Sequence, residues 1–210
     1  MTTAHRDEGA GKQVVRGITA SCLLALGLAA CGGGGTNPVG NPPEVSNPVG
    51  TTGQKLSFAY FQKCINPIFL ARLQINIGGA ISTNTCAGSG CHDNTTGTGG
   101  ALRVVANAQL VDLAGTADTI RASDMYKNFY SAQGSVVIGS TTQSRLITKP
   151  LVLKVLPGGG LIFENQQDPN AVLIQYWITH PSPNGQDEFS TATYSMFSNG
   201  DPATGTCKTQ

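Results

Sequence analysis

The stretch Cys86-Ala87-Gly88-Ser89-Gly90-Cys91-His92 decides how the rest of the chain is read. It sets two thiols on either side of four small residues and follows the second thiol with an imidazole. Ala87, Gly88, Ser89 and Gly90 let the backbone bulge between the sulfurs, the glycines through their freedom at positive φ. Two plain readings are open. A Cys86–Cys91 disulfide would staple a small loop and leave His92 as a polar neighbour. A zinc site would take all three side chains, although a structural zinc ion usually wants four.

Outward from this stretch, the 210 residues suffice for one domain with a real core once the N-terminus is set aside. Residues 1–16 are polar and end with Lys12 and Arg16. Ile18–Ala30 is apolar, too short to span a bilayer and of the length of a signal-peptide core. It runs into Leu28-Ala29-Ala30-Cys31, which resembles the bacterial lipobox. That resemblance implies cleavage before Cys31, lipid of the palmitate type on that cysteine, and a membrane tie without a transmembrane helix. Gly32, where an acidic residue would favour retention, suggests the outer membrane, facing the periplasm or the cell surface.

Removing residues 1–30 takes three bases and two acids from totals of thirteen and twelve, leaving ten of each. A balanced surface gives no electrostatic argument for nucleic acid or for anionic lipid. Residues 31–54 hold Gly, Pro, Asn and Thr, with Asn37-Pro38-Val39-Gly40 repeated as Asn47-Pro48-Val49-Gly50. Such a segment has no core to bury and reads as a linker. The folded domain is then 55–210.

From Leu56, the spacing of Phe58, Phe61, Ile65, Ile68 and Phe69 predicts an amphipathic helix bent near Pro67. Ile75–Thr85 reads as loop. Residues 93–100 form a turn-rich loop, and Ala101–Val105 a short strand. Ile120–Ala132 is a helix with Asp124 as N-cap, with Met125, Phe129 and Ala132 on one face. Ser135–Gly139 is a short strand, Ser144–Lys149 a helical turn stopped by Pro150, and Gly158–Gly160 a turn. The last helix starts at Asp168-Pro169, presents Leu173, Ile174, Trp177 and Ile178, and stops at Pro181.

The motif resembles the haem-attachment site of c-type cytochromes, with four residues between the cysteines where that family usually has two. By that resemblance each thiol adds to one vinyl group of the porphyrin and His92 ligates the iron. Outside the leader the histidines are His92 and His180, and one of them directly follows a cysteine of the pair. The step Gly99-Gly100-Ala101-Leu102-Arg103 is similar to one in a group of secreted bacterial cytochrome c domains. The resemblance covers roughly residues 56–180. It implies a mainly α fold with short strands and long loops, a cytochrome c-like helical domain around one haem c. A C-terminal helix would pack across the N-terminal one, and Arg103 would pair with a haem propionate. The far side of the iron would be filled by Met125, with Met196 and His180 as alternatives.

If haem takes Cys86 and Cys91, Cys64 and Cys207 are left to pair with each other. Without haem three pairings are open, of which Cys86–Cys91 with Cys64–Cys207 is the expected one. The function expected is a membrane-anchored carrier of single electrons at the bacterial envelope, serving an unidentified redox partner protein and not an enzyme in its own right. A haem-free, disulfide-stapled lipoprotein and a haem enzyme or ligand sensor with open iron are the alternatives. The sequence has no nucleophile–base pair, phosphate loop or paired-carboxylate pattern.

Overall fold

The computed structural model describes residues 53–152 and 160–210. The leader, Cys31, the linker up to residue 52 and the first two glycines of the Gly158–Gly160 turn lie outside them.

Ser57 starts the first helical rod, its hydroxyl accepting the amide of Tyr60 at 3.1 Å. The rod runs as helix α1 (Phe58–Tyr60), a π-helical turn (Phe61–Ile65) and helix α2 (Asn66–Leu70). The bend expected near Pro67 is this widened turn. The π register ends where proline, which has no amide to donate, enters α2. Phe58, Phe61, Ile65, Ile68 and Phe69 are all buried, as the spacing requires.

The stretch expected to be loop after the rod is an antiparallel hairpin, β1 (Leu73–Ile77) and β2 (Ala80–Asn84), with Ile77 opposite Ala80. Gly78 and Gly79, at φ 60° and 94°, form the two-residue connection. Such a turn needs left-handed backbone at both positions, which glycine supplies. Leu161 bridges Asn76 on the other edge of β1. The expected strands 101–105 and 135–139 are shorter than that: Asp93 and Val104 form a single parallel bridge, and Val137 and Ser140 a single antiparallel one.

Helix α3 spans Ala117–Arg121 and α4 spans Asp124–Gln133. Ser123, not Asp124, caps α4 by accepting from Tyr126, so Asp124 sits in the first turn instead. Helix α5 (Arg145–Thr148) continues past the expected stop into a 3-10 turn, Lys149–Leu151, where Pro150 is tolerated in the first turn. Helix α6 (Pro169–Thr179) begins as expected, with Asp168 accepting from Asn170 at 2.8 Å.

Rod, α4 and α6 meet around Phe129, whose ring centroid lies 5.3 Å from Phe58, 5.4 Å from Phe61 and 6.1 Å from Trp177. These edge-on contacts suit the charge distribution of aromatic rings. The Trp177 indole donates to the Ser57 carbonyl at 2.9 Å, locking the last helix onto the start of the first. The tail turns through a 3-10 stretch, Thr191–Met196, and returns to the rod through a Cys64–Cys207 disulfide, with Cα atoms 6.0 Å apart. That pairing is the expected one. The described residues thus form a mixed fold, six α-helices and one hairpin joined by long loops, in keeping with the helices, short strands and long loops expected. Among the described residues no helix is long and apolar enough to cross a membrane.

Candidate haem-attachment site

The motif loop hangs from the end of β2 and is closed on itself. The Ala87 amide donates to the Phe69 carbonyl at 3.2 Å, Gly88 to Thr85 at 3.0 Å, Cys91 to Gly88 at 2.9 Å and His92 to Cys86 at 2.9 Å. The last of these brings the two ends of the motif together, so both thiols and the imidazole leave one small ring of backbone. Gly90, at φ 81°, makes the turn that the extra residues between the cysteines require.

Cys86 and Cys91 are free thiols, both partly exposed, while the chain's other described cysteines are bonded to each other. Burial pushes the Cys86 thiol up to about 11, with nearby Cys91 adding to the effect. Cys86 is therefore a protonated thiol at neutral pH. The Asn84 amide donates to the Cys91 sulfur at 3.4 Å and is itself packed against Gly88, where a side chain would collide with it.

The His92 ring is held on one nitrogen. Its Nδ1 lies 3.1 Å from the Leu102 carbonyl, an arrangement that puts the proton on Nδ1 and leaves the Nε2 lone pair available. Burial lowers the imidazole's pKa, the Leu102 carbonyl raises it in part, and the Arg103 cation lowers it further. The ring is thus held towards its neutral, ligating form. The Gly99 backbone closes against it, its amide donating to the Cys91 carbonyl at 2.7 Å, while Gly97 packs on the backbone of Asp93 and Cys91. Asp93 pins the loop that follows: one of its oxygens accepts from the amides and hydroxyls of both Thr95 and Thr96. The Thr96 amide above all, with both donors of Thr95, holds the carboxyl well below the usual carboxylate range.

Arg103 is partly buried, and its guanidinium lies 3.3 Å from the same Leu102 carbonyl that faces His92. The distal candidates are placed differently from one another. Met125 is buried on the core face of α4, and Met196 is buried in the 3-10 turn whose carbonyl accepts from Lys208 beside Cys207. His180 is exposed at the end of α6, stacked on Tyr176 at 3.8 Å with Nδ1 facing its carbonyl.

The donor chemistry fits a covalently bound haem: two unpaired thiols and an imidazole with Nε2 free, on one pinned loop. It fits zinc less well, because among the described residues no three His, Cys, Asp or Glu side chains converge. The sequence singled out Gly99 and Leu102 only as part of the Gly99–Arg103 step, without a role at His92, and Asn84 not at all. The glycine-rich loop was visible, but only the fold shows that it closes on the His92 ring. Comparison with protein families, curated proteins and solved structures returns no match.

Proposed function

We propose that the chain is a membrane-anchored c-type cytochrome that carries single electrons at the bacterial envelope. The observation that carries this reading is the held His92 ring, with its Nδ1 at the Leu102 carbonyl, beside two free thiols. A ring fixed through one nitrogen by a carbonyl is how proteins orient a metal-ligating histidine.

In this reading Cys86 and Cys91 hold the porphyrin edge, and His92 presents Nε2 to the iron. The haem, when bound, supplies a one-electron couple. Asn84 orients the Cys91 sulfur, and Leu102 with Gly99 keeps the imidazole from turning. Arg103, close to the ring, offers its guanidinium to a propionate. Met125 is retained as the first distal candidate because it shares α4 with the residues that hold the segment beside His92, with Met196 and His180 behind it. Cys31 carries the lipid and the linker sets the domain off the membrane, with a redox protein as partner and no nucleic acid.

The test is expression in a bacterial host able to attach haem c. The expected product is red, with a Soret band and haem retained in a denaturing gel. Cys86→Ser and Cys91→Ser each leave one thioether, and His92→Ala loses the proximal ligand. A colourless protein from a host that loads other c-type cytochromes overturns the reading. Ferrous protein that binds carbon monoxide would move the function to the open-iron class.

A further inference from the structure

The segment Leu102–Val105 lies between the motif and helix α4, and its backbone groups are shared alternately between them. Towards the motif, the Leu102 carbonyl faces His92 Nδ1 at 3.1 Å and the Val104 amide donates to the His92 carbonyl at 2.7 Å. Towards α4, the Arg103 amide donates to the Ser131 hydroxyl at 2.6 Å. The Val105 amide donates to Asn128 Oδ1 at 2.7 Å, and Asn128 Nδ2 returns a bond to the Val105 carbonyl at 3.1 Å. Strand-like backbone turns successive groups to opposite sides. Here a helix supplies the second edge, through two side chains one turn apart.

Asn128 is wholly buried, and its Nδ2 also donates to Asn66 Oδ1 at 2.9 Å, at the start of α2. A buried amide with each of its groups engaged specifies one arrangement of what surrounds it. The segment is thereby referred to the two helices of the core and not only to the glycine-rich loop.

We propose that Asn128 and Ser131 are positioning residues for the His92 imidazole, fixing through residues 102–105 the carbonyl that keeps the ring proton on Nδ1. Haem ligation, which rests on the function proposed above, supplies the purpose; the tautomer control itself concerns the haem-free chain.

The experiment is long-range nitrogen–proton NMR of His92 in the full-length, haem-free protein, above the pH at which the ring titrates. The ring proton is expected on Nδ1. In Ser131→Ala and in Asn128→Ala the tautomer ratio shifts towards Nε2–H by about tenfold, the effect of losing one net hydrogen bond. Ser131→Thr, which keeps the hydroxyl, and Lys127→Ala, on the exposed face of the same helix, keep the original ratio. If Asn128→Ala does not fold, as judged by Trp177 fluorescence, Ser131→Ala decides alone. A ring proton on Nε2 in the parent chain, or an unchanged ratio in folded Ser131→Ala, overturns the proposal. A colourless product from the haem-loading host, with the tautomer still responding, removes the haem function and leaves the positioning role standing.

Discussion

A β-carbon placed on Gly99 would stand 2.5 Å from both Cε1 and Nδ1 of His92, so the imidazole and this piece of backbone are in direct contact. Gly99→Ala therefore has to push the ring or the loop aside, and overpacking of this kind costs about 1–3 kcal/mol. Gly100→Ala meets no atom within 4 Å but forces a side chain onto φ 83°, at a cost of about 1–2 kcal/mol. Both variants lower the urea midpoint. Only Gly99→Ala should also disturb the His92 ring resonances.

The second prediction concerns acid. Glu188 is buried and accepts from Arg121 at 2.9 Å and from the Tyr126 hydroxyl at 2.8 Å, while its carbonyl takes the first amide of α1. Burial raises its carboxyl; its own amide, Arg121 and Tyr126 outweigh that and hold it below the ordinary value. A carboxyl depressed on folding stabilises above its unfolded value, near about 4.3, and loses that contribution as pH falls through the folded one. Glu188→Gln should lower stability at neutral pH by about 1–2 kcal/mol and flatten the acid limb of the stability curve. Urea midpoints from pH 7 down to pH 3 are the check.

The Cys64–Cys207 bridge spans 143 positions of sequence. Removing it with a Cys64→Ser, Cys207→Ser double substitution should cost about 2–4 kcal/mol. The tail retains other ties, among them the Lys208 amide on the Met196 carbonyl and the Tyr60 hydroxyl on the Lys208 carbonyl. The variant is therefore expected to fold and to melt earlier, which calorimetry measures.

On the lipid-anchored reading, Cys31→Ser removes the sulfur that takes the lipid and disables the lipobox that directs the cut, so the variant should lose incorporation of labelled palmitate and run as the longer, uncut chain. Metabolic labelling followed by blotting reads both. Palmitate label retained by the variant would mean that the lipid lies elsewhere.

Helices carried by long apolar spacing were legible: the rod, α4 and α6 fall where Phe58 to Phe69, Met125 to Ala132 and Leu173 to Ile178 put them. The two cysteines and the histidine were legible as chemistry, and Cys64–Cys207 as a pairing. The hairpin was not read, because residues 75–85 are Gly-, Asn- and Thr-rich and bury little: Ile77 and Ile81 are 50% and 68% exposed. Its signal was present in Gly78-Gly79, the turn pair that such a hairpin needs. The Gly99–Arg103 step stood out in the sequence, but nothing there told that it supports His92. Leu102 acts through a carbonyl that every residue carries, and Asn128 and Ser131 act on backbone from a helix distant in the chain. Contacts of that kind exist only once the fold has brought them together.

The bond between Cys64 and Cys207 turns most of the folded body into a covalent lasso. A protease that nicks any loop inside it, the glycine-rich turns after His92 included, produces two fragments that remain one molecule. The piece bearing Cys31 and the piece bearing the tail would part only under reduction. On the anchored reading proposed above, a clipped copy would stay in place, and its cleavage would escape notice on a non-reducing gel.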